Sequence, residues 1–344
     1  MKILSVVSND ISHDGRVLKE AASLRQAGHE VQFIGWYGKG RPGPLGLVRW
    51  WRREMRRALH TDFDAIHAHD LDALPIGVAL KKETHRPLVY DAHEIFPYMI
   101  EDDSPFLARA AAHLERRLAP FADEVIAVNE PVKEYVDAVS GNSAIIVRNC
   151  SDWPLDDYTP PKSDNPFTLL YIGTLHPSRF VLEAIEVVKD MEGFRLLIGG
   201  NKMLQEEVRK KCQSHPYHTV FLGEVPNDQV RAHTLRANAI LCLFDPRSRI
   251  NQVGTPTKLF EAMAAGRPSI TTIDLPMSEI PERERCGISV TYSKDGLRLA
   301  LDALQSQPHL CEGMGRNGLA AARREYNWPN EARKLVKLYE GIGG

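Results

Sequence analysis

The residues best suited to chemistry lie in one stretch, Gly254-Thr-Pro-Thr-Lys-Leu-Phe-Glu-Ala-Met-Ala-Ala-Gly-Arg-Pro268. Pro256 suits the first turn of a helix, where its fixed φ helps and its missing N–H costs nothing. Gly266 closes that helix, and a short apolar strand follows. The opening of such a helix presents N–H groups without intrahelical partners at the positive end of its dipole, an arrangement that favours a phosphate. Lys258 and Glu261 are three residues apart and share a face. A cation then stands near the phosphates, with a carboxylate one turn deeper to accept two ribose hydroxyls. Gly254, Thr255 and Leu259 complete the expected contact set. The competing reading is an ordinary i,i+3 ion pair on a solvated helix. Helix start, charge order and small-residue packing together favour the binding site.

A second stretch, Tyr171-Ile-Gly-Thr-Leu-His-Pro-Ser-Arg179, ends a predicted strand in a glycine turn. Arg179 stands at a helix start, where a cation opposes the dipole unless an anion lies between them. A guanidinium grips a phosphate through two N–H groups at once. Near the N-terminus, Gly15 sits at a strand-to-helix turn that allows close backbone approach to a ligand, and Arg16 has the reach to contact phosphate or acceptor. Ile66-His-Ala-His-Asp70 and Tyr90-Asp-Ala-His-Glu94 end two more strands on the same edge. His67 and His69 share a strand face, and His93 could in principle join them around a metal. No acid-rich ligand set accompanies them in sequence, so no metal is expected. Asp62-Phe-Asp64 reads as loop.

These residues need a scaffold that gathers strand ends. Strands are predicted at Ile3–Val7, Glu30–Trp36, Ala65–His67, Leu88–Tyr90, Glu124–Val128 and Ala144–Val147, with helices such as Arg16–Ala27, Leu71–Lys82 and Phe106–Leu118 between them. After the Pro-, Asp- and Ser-rich segment 151–166, the pattern restarts with strands at Thr168–Ile172, Arg195–Ile198, Val220–Leu222, Ala239–Leu243 and Ser269–Thr272. The expected class is α/β, with two Rossmann-like, doubly wound domains facing a central cleft: residues 1–150, a linker 151–166, and residues 167–325. A last helix over 326–344, with Ala332, Leu335, Val336 and Tyr339 on one face, is expected to cross back to the first domain.

The chain has 344 residues, 43% hydrophobic and 26% charged, with a net charge of −2. That suits two soluble domains and provides no global field to attract nucleic acid. Five scattered cysteines without CxxC spacing read as reduced cytosolic thiols. No apolar run reaches spanning length. Residues Leu45–Leu59 hold five arginines against one acid. On a helix, Leu47, Trp51, Met55, Ala58 and Leu59 share a face. Trp50, Trp51, Arg52, Arg53, Arg56 and Arg57 are expected to contact an anionic membrane surface peripherally from the cytoplasm; the alternative is a helix that packs its apolar face on the first domain and leaves the arginines solvated.

The Pro256–Pro268 segment resembles the donor site of retaining glycosyltransferase family 4, in a subgroup carrying Pro-x-Lys-Leu-Phe-Glu. The resemblance runs over nearly the whole chain and implies a GT-B fold. It also implies transfer of a sugar from a nucleotide-diphosphate sugar to an acceptor, a lipid-linked or surface-polysaccharide glycan. Glu261 matches the glutamate that holds the donor ribose, while the position of the family's earlier glutamate is Val253. Gly173 matches the family's phosphate-loop glycine, Thr174 replaces its arginine, and Arg179 replaces its lysine. His93 matches the histidine beside the donor sugar. Catalysis is assigned to His93, Arg179, Lys258 and Glu261, and donor binding also to Gly15, Arg16, Gly173, Thr174, Gly254, Thr255 and Leu259. No cofactor or metal is implied. A nucleotide-sugar 2-epimerase and a catalytically silent nucleotide-sugar-binding relative are the alternatives. A nicotinamide dehydrogenase is disfavoured, because no G-x-G-x-x-G loop follows either first strand.

Overall fold

The computed structural model describes residues 1–11, 14–35, 44–161 and 166–343. Trp36, the predicted end of the second strand, lies outside the described residues. The chain divides into two compact units, one of Met1–Asn149 with Trp328–Gly344 and one of Cys150–Asn327.

The first unit contains strands β1 (Lys2–Val7), β2 (Glu30–Gly35), β3 (Ala65–His69), β4 (Leu88–Ala92), β5 (Glu124–Ala127) and β6 (Ile145–Ile146), in spatial order β2-β1-β3-β4-β5-β6. All pairs are parallel, β1 lying against β2 from Lys2↔Glu30 to Val7↔Gly35. Near-continuous burial of β1, β3 and β4 follows from helices covering both faces. The second unit contains β7 (Phe167–Ile172), β8 (Phe194–Gly199), β9 (Thr219–Gly223), β10 (Ala239–Cys242), β11 (Ser269–Thr272) and β12 (Gly287–Val290), in order β12-β11-β10-β7-β8-β9. This too is parallel throughout. The order reverses between β1 and β3 in the first sheet and between β7 and β10 in the second. Ligands of doubly wound sheets bind at the carboxyl ends of the strands at such points.

The helix Trp328–Gly343 packs on the first sheet, burying Trp328, Leu335 and Tyr339 among Ile3, Val31, Ala65 and Val89. A buried leucine of this kind contributes about 1.5–3 kcal/mol. Its Glu331 is fully buried, where Oε2 accepts the N–H of Arg148 at 2.9 Å.

The Pro-rich stretch expected to be a linker is not a bare tether where it is described. Cys150 and Leu155 pack into a cluster with Leu259, Phe260 and Tyr326, and Arg323 donates to the carbonyls of Leu155 and Asp156. Tyr158 lies against Gly266, where an added Cβ would come within 2.9 Å of its ring. Gly266 also has φ +64. Glycine is therefore required twice over where the helix Thr257–Ala264 ends.

Candidate active site

At the switch point of the second unit, Gly173 follows β7 with φ +155, and a Cβ there would meet Lys258 Nζ at 2.8 Å. The missing side chain is the space the lysine fills. Lys258, second residue of the helix Thr257–Ala264, places Nζ 3.6 Å from the centre of the Tyr171 ring and 5.7 Å from that of Phe244. Burial of the ammonium lowers its pKa to about 8; Arg179 pushes the same way, while Cys242 and Glu261 pull against it. Burial likewise pushes the Cys242 thiol, at the end of β10, up to about 12, in the joint field of Lys258, Glu261 and Arg179. Three of the residues singled out in the sequence therefore converge on the carboxyl end of one strand.

Arg179 closes a short 3-10 turn, Pro177–Arg179, and its guanidinium carbon lies 3.8 Å above the Phe244 ring. Its Nη1 donates to Asn251 Oδ1 at 2.6 Å. Pro256 proves to be the N-cap, one residue ahead of the helix, and no side-chain hydrogen bond caps the first turn. A proline cap offers no side-chain acceptor, which leaves the dipole's positive end to an anion. Gly254 and Thr255 precede it, half-buried. The Thr174 carbonyl accepts the Tyr171 hydroxyl at 2.5 Å. Leu259 departs from expectation. It is fully buried beside Phe260 and Met263, because it points to the core side of the helix, so its side chain cannot line the site.

The first unit gathers a different cluster at the ends of β3 and β4. Arg16 is buried, with Nη2 3.0 Å from Asp91 Oδ1, Nε 2.9 Å from Glu20 Oε1 and Nη1 donating to the Val147 carbonyl at 2.8 Å. The guanidinium is engaged inside the unit, which removes Arg16 as a phosphate ligand. The helix start beside it is capped by Asp14, whose Oδ1 accepts the N–H groups of Arg16 and Val17, each at 3.1 Å. A carboxylate thus stands where a phosphate was expected at Gly15. The position of Gly15 itself is open, with nothing near an added Cβ.

His93 Nε2 lies 3.3 Å from Asp91 Oδ2, and Nδ1 lies 3.6 Å from Asp70 Oδ2. Burial opposes its charge, but Asp70 and Asp91 outweigh burial and raise its pKa to about 10. It is therefore an imidazolium at neutral pH. His93 Nε2 is also 3.2 Å from His69 Nδ1, and His69 Nε2 is 3.0 Å from Ser5 Oγ. Burial, with help from His67 and His93, keeps His69 well below its ordinary pKa. A neutral His69 then accepts from His93 and donates to Ser5. Asp70 takes φ +60, a strained conformation for a non-glycine, and its Oδ1 accepts the His93 N–H at 2.9 Å. The sequence reading missed Asp70, Asp91 and Glu20 as partners of these histidines.

Glu20, His67, His69 and Asp91 bring one ligand atom each within 4.8 Å of one another, supplying the acids that sequence spacing lacked. The two imidazole rings, however, are stacked at 4.1 Å with only 15° between their planes. A metal lies in the plane of each imidazole that ligates it, and planes so nearly parallel do not meet between the rings. Arg16 already lies 3.0 Å from Asp91 and 2.9 Å from Glu20.

Residues 15–150 match the model of Glycosyltransferase Family 4, and residues 166–306 match that of Glycosyl transferases group 1. A phosphatidyl-myo-inositol mannosyltransferase of Mycolicibacterium smegmatis is 23% identical over a 364-residue alignment covering 95% of this chain and 89% of that protein. The protein of the same description from Mycobacterium leprae is 24% identical, covering 84% and 76%. Sucrose-phosphate synthase from Thermosynechococcus elongatus shares the fold with a TM-score of 0.79 at 17% identity, over 99% of both chains. Anabaena HepE in complex with UDP-glucose does so at 0.77 and 17%, over 99% of this chain and 100% of that one. The chain is a glycosyltransferase of the GT-B fold.

In the glycosyltransferase's arginine-rich helix, Pro44–Ala58, the apolar face packs inward, with Ala58 buried and Leu47, Trp51 and Met55 half-buried, and the inward face extends to Trp50 and Glu54. Trp50 is 1% exposed, as is Glu54, which is paired by Arg53 and Arg57. Trp51 is half-buried and its indole N–H donates to the Asp72 carbonyl at 2.7 Å. Trp50 cannot lie at a headgroup, and Trp51 anchors the helix to the protein. The outward stripe is Leu45, Val48, Arg49, Arg52 and Arg56, with Leu45 81% exposed. Among the described residues no helix is long and apolar enough to cross a membrane.

Proposed function

We propose that the enzyme binds a nucleoside-diphosphate sugar at the switch point of its second unit and transfers the glycosyl group with retention at the anomeric carbon. The observation that carries this reading is the convergence of Lys258 and Arg179 on the strand ends beside a helix whose proline cap leaves its dipole available. Departure of the diphosphate builds charge on phosphate oxygens. Two fixed cations and a helix dipole answer that charge without reorganising, and without requiring a metal. Glu261, one turn along, accepts the ribose hydroxyls. In the first unit, His93 is held as a cation by Asp70 and Asp91. With retention, the leaving phosphate oxygen takes the acceptor proton, so no protein base is needed.

The name of one relative, a phosphatidyl-myo-inositol mannosyltransferase, supports a lipid-linked acceptor. In our reading the stripe of Leu45, Val48, Arg49, Arg52 and Arg56 rests on anionic lipid, at about 1 kcal/mol per cation near the surface. The test is a thermal-shift panel of UDP, GDP, ADP and dTDP sugars, followed by product analysis with and without lipid-extract acceptors. A donor-dependent rise in melting temperature and an acceptor-dependent glycosylated product with the anomeric configuration of the donor are expected. A changed sugar formed from donor alone would establish an epimerase instead. Donor binding with neither transfer nor hydrolysis would establish a silent binder, the outcome that Val253 and Thr174 would then explain.

A further inference from the structure

The turn that follows β7 has its main-chain groups taken up almost completely. The Gly173 N–H donates to the Gly199 carbonyl at 3.0 Å, and the Leu175 N–H donates to the Asn201 carbonyl at 2.9 Å. The Thr174 carbonyl holds the Tyr171 hydroxyl, and the Leu175 carbonyl accepts the Leu204 N–H at 3.1 Å. The Gly173 carbonyl is packed against Gly200, the first residue after β8, where an added Cβ would stand 1.9 Å from that oxygen. Among the described residues the Thr174 N–H has no partner, and Thr174 is exposed.

A trans peptide points its N–H away from its C=O. With the Gly173 oxygen turned onto Gly200, the Thr174 N–H of the same peptide is turned away from β8. Lys258 Nζ lies 2.8 Å from the point where Gly173 would carry a Cβ. A main-chain donor and an ammonium therefore flank one glycine at the carboxyl end of β7. Gly200 makes this orientation possible. It takes φ +146, its own N–H is tied to the Gly223 carbonyl at 2.7 Å, and a side chain there would have to push the Gly173 carbonyl aside. Rotation of that peptide would carry the Thr174 N–H with it.

Resting on the donor reading above, we propose that Gly200 is a positioning residue: it lets the Gly173–Thr174 peptide aim the Thr174 N–H at the donor diphosphate, beside the Lys258 ammonium. A main-chain donor tied to the sheet loses no rotamer freedom when the anion arrives and needs no reorganisation. It also supplies a contact at a position where threonine stands in place of an arginine.

The experiment uses the full chain with isotopically labelled threonine amides, and UDP, GDP, ADP and the matching nucleosides as probes. Titration calorimetry first identifies which diphosphate wild type binds. The Thr174 amide resonance, assigned by its loss in Thr174→Ser, is then followed as that diphosphate is added. A downfield proton shift is expected with the diphosphate and none with the nucleoside. In Gly200→Ala the shift should vanish, and diphosphate affinity should fall by roughly tenfold or more, as for loss of one charge-assisted hydrogen bond. Nucleoside affinity should be unchanged. Thr174→Pro removes the N–H while leaving Gly200 in place and should lose affinity to the same extent. Gly200→Ala added to it should then change affinity by less than about twofold, since groups acting through one contact are not additive. A merely structural glycine would leave the diphosphate-induced shift in place, or would weaken nucleoside and diphosphate alike. Should Gly200→Ala fail to fold, the wild-type shift and Thr174→Pro still decide whether this peptide is a donor. A Thr174 amide unmoved by a diphosphate that binds, or wild-type affinity in Gly200→Ala or Thr174→Pro, overturns the role of Gly200. Failure of wild type to bind any of the three diphosphates overturns the donor reading itself.

Discussion

On the donor reading proposed above, Lys258 makes diphosphate binding sensitive to pH in a direction set by its burial. Its pKa is about 8 because the ammonium is buried against Tyr171 and Phe244. In the ligand-free enzyme roughly nine-tenths of it is charged at pH 7 and roughly one-tenth at pH 9. A bound diphosphate returns the pKa toward the ordinary lysine value of about 10.4, so the bound form keeps the proton that the free form loses. Affinity is therefore complete below pH 8 and falls as pH rises through 8, by about tenfold between pH 7 and 9. Phosphate ionisation ends near pH 6, outside that window. Calorimetry of the diphosphate in buffers of different ionisation enthalpy reads the proton uptake directly: close to none at pH 7, close to one proton at pH 9. In Lys258→Met both the slope and the uptake should vanish. A flat wild-type profile, or the same slope in Lys258→Met, refutes the reasoning. The same residue strains the empty protein. A lysine whose folded pKa is depressed destabilises fully below pH 8 and ceases to do so above about 10.4. Lys258→Met should thus raise the melting temperature at pH 7 while abolishing transfer.

On the donor reading proposed above, Glu261→Ala removes two hydrogen bonds from ribose hydroxyls to a charged acceptor, at about 1.5–3 kcal/mol each, and should lower kcat/KM for the donor by at least about 100-fold. Asp91, which Arg16 and His93 hold well below the ordinary carboxylate range against the pull of burial, stabilises above about pH 4, and that contribution is lost as pH falls further. At pH 7 Asp91→Asn should cost about 3–5 kcal/mol in urea denaturation, since it strands two cations. Glu20→Gln should cost under about 1 kcal/mol, because burial pushes Glu20 up to about 8 and an amide mimics the protonated acid; equal losses would sink that assignment. Replacing Arg49, Arg52 and Arg56 by Gln should abolish co-sedimentation with anionic vesicles, whereas Arg53→Gln, already paired with Glu54, should matter less.

The sequence was most readable where burial is apolar. Ser269–Thr272 is the strand expected to the residue, and the ends of most others shift by one or two. The helix Thr257–Ala264 with Lys258 and Glu261 on one face was equally plain. Where burial is polar, patterning misleads. β3 runs past its expected end at His67 to the buried His69, although no apolar run continues there. The arginine-rich helix turns Trp50 and Glu54 inward, since a buried carboxylate answered by Arg53 and Arg57 does not look like a core position. β12 escaped notice because Gly287–Val290 is a half-buried edge without a hydrophobic stretch. Arg16 and Asn251 could be understood only from partners dozens of positions away, which no local window contains.

The return of the helix Trp328–Gly343 to the first unit has a consequence for biogenesis. In chain order, residues 150–327 form an insertion within the unit that begins at Met1. On the ribosome that inserted unit is synthesised in full before Leu335 and Tyr339 emerge to cover the first sheet. The domain started first is thus finished last, and until then the apolar patch around Ile3, Val31 and Val89 waits uncovered for a chaperone or for its own tail.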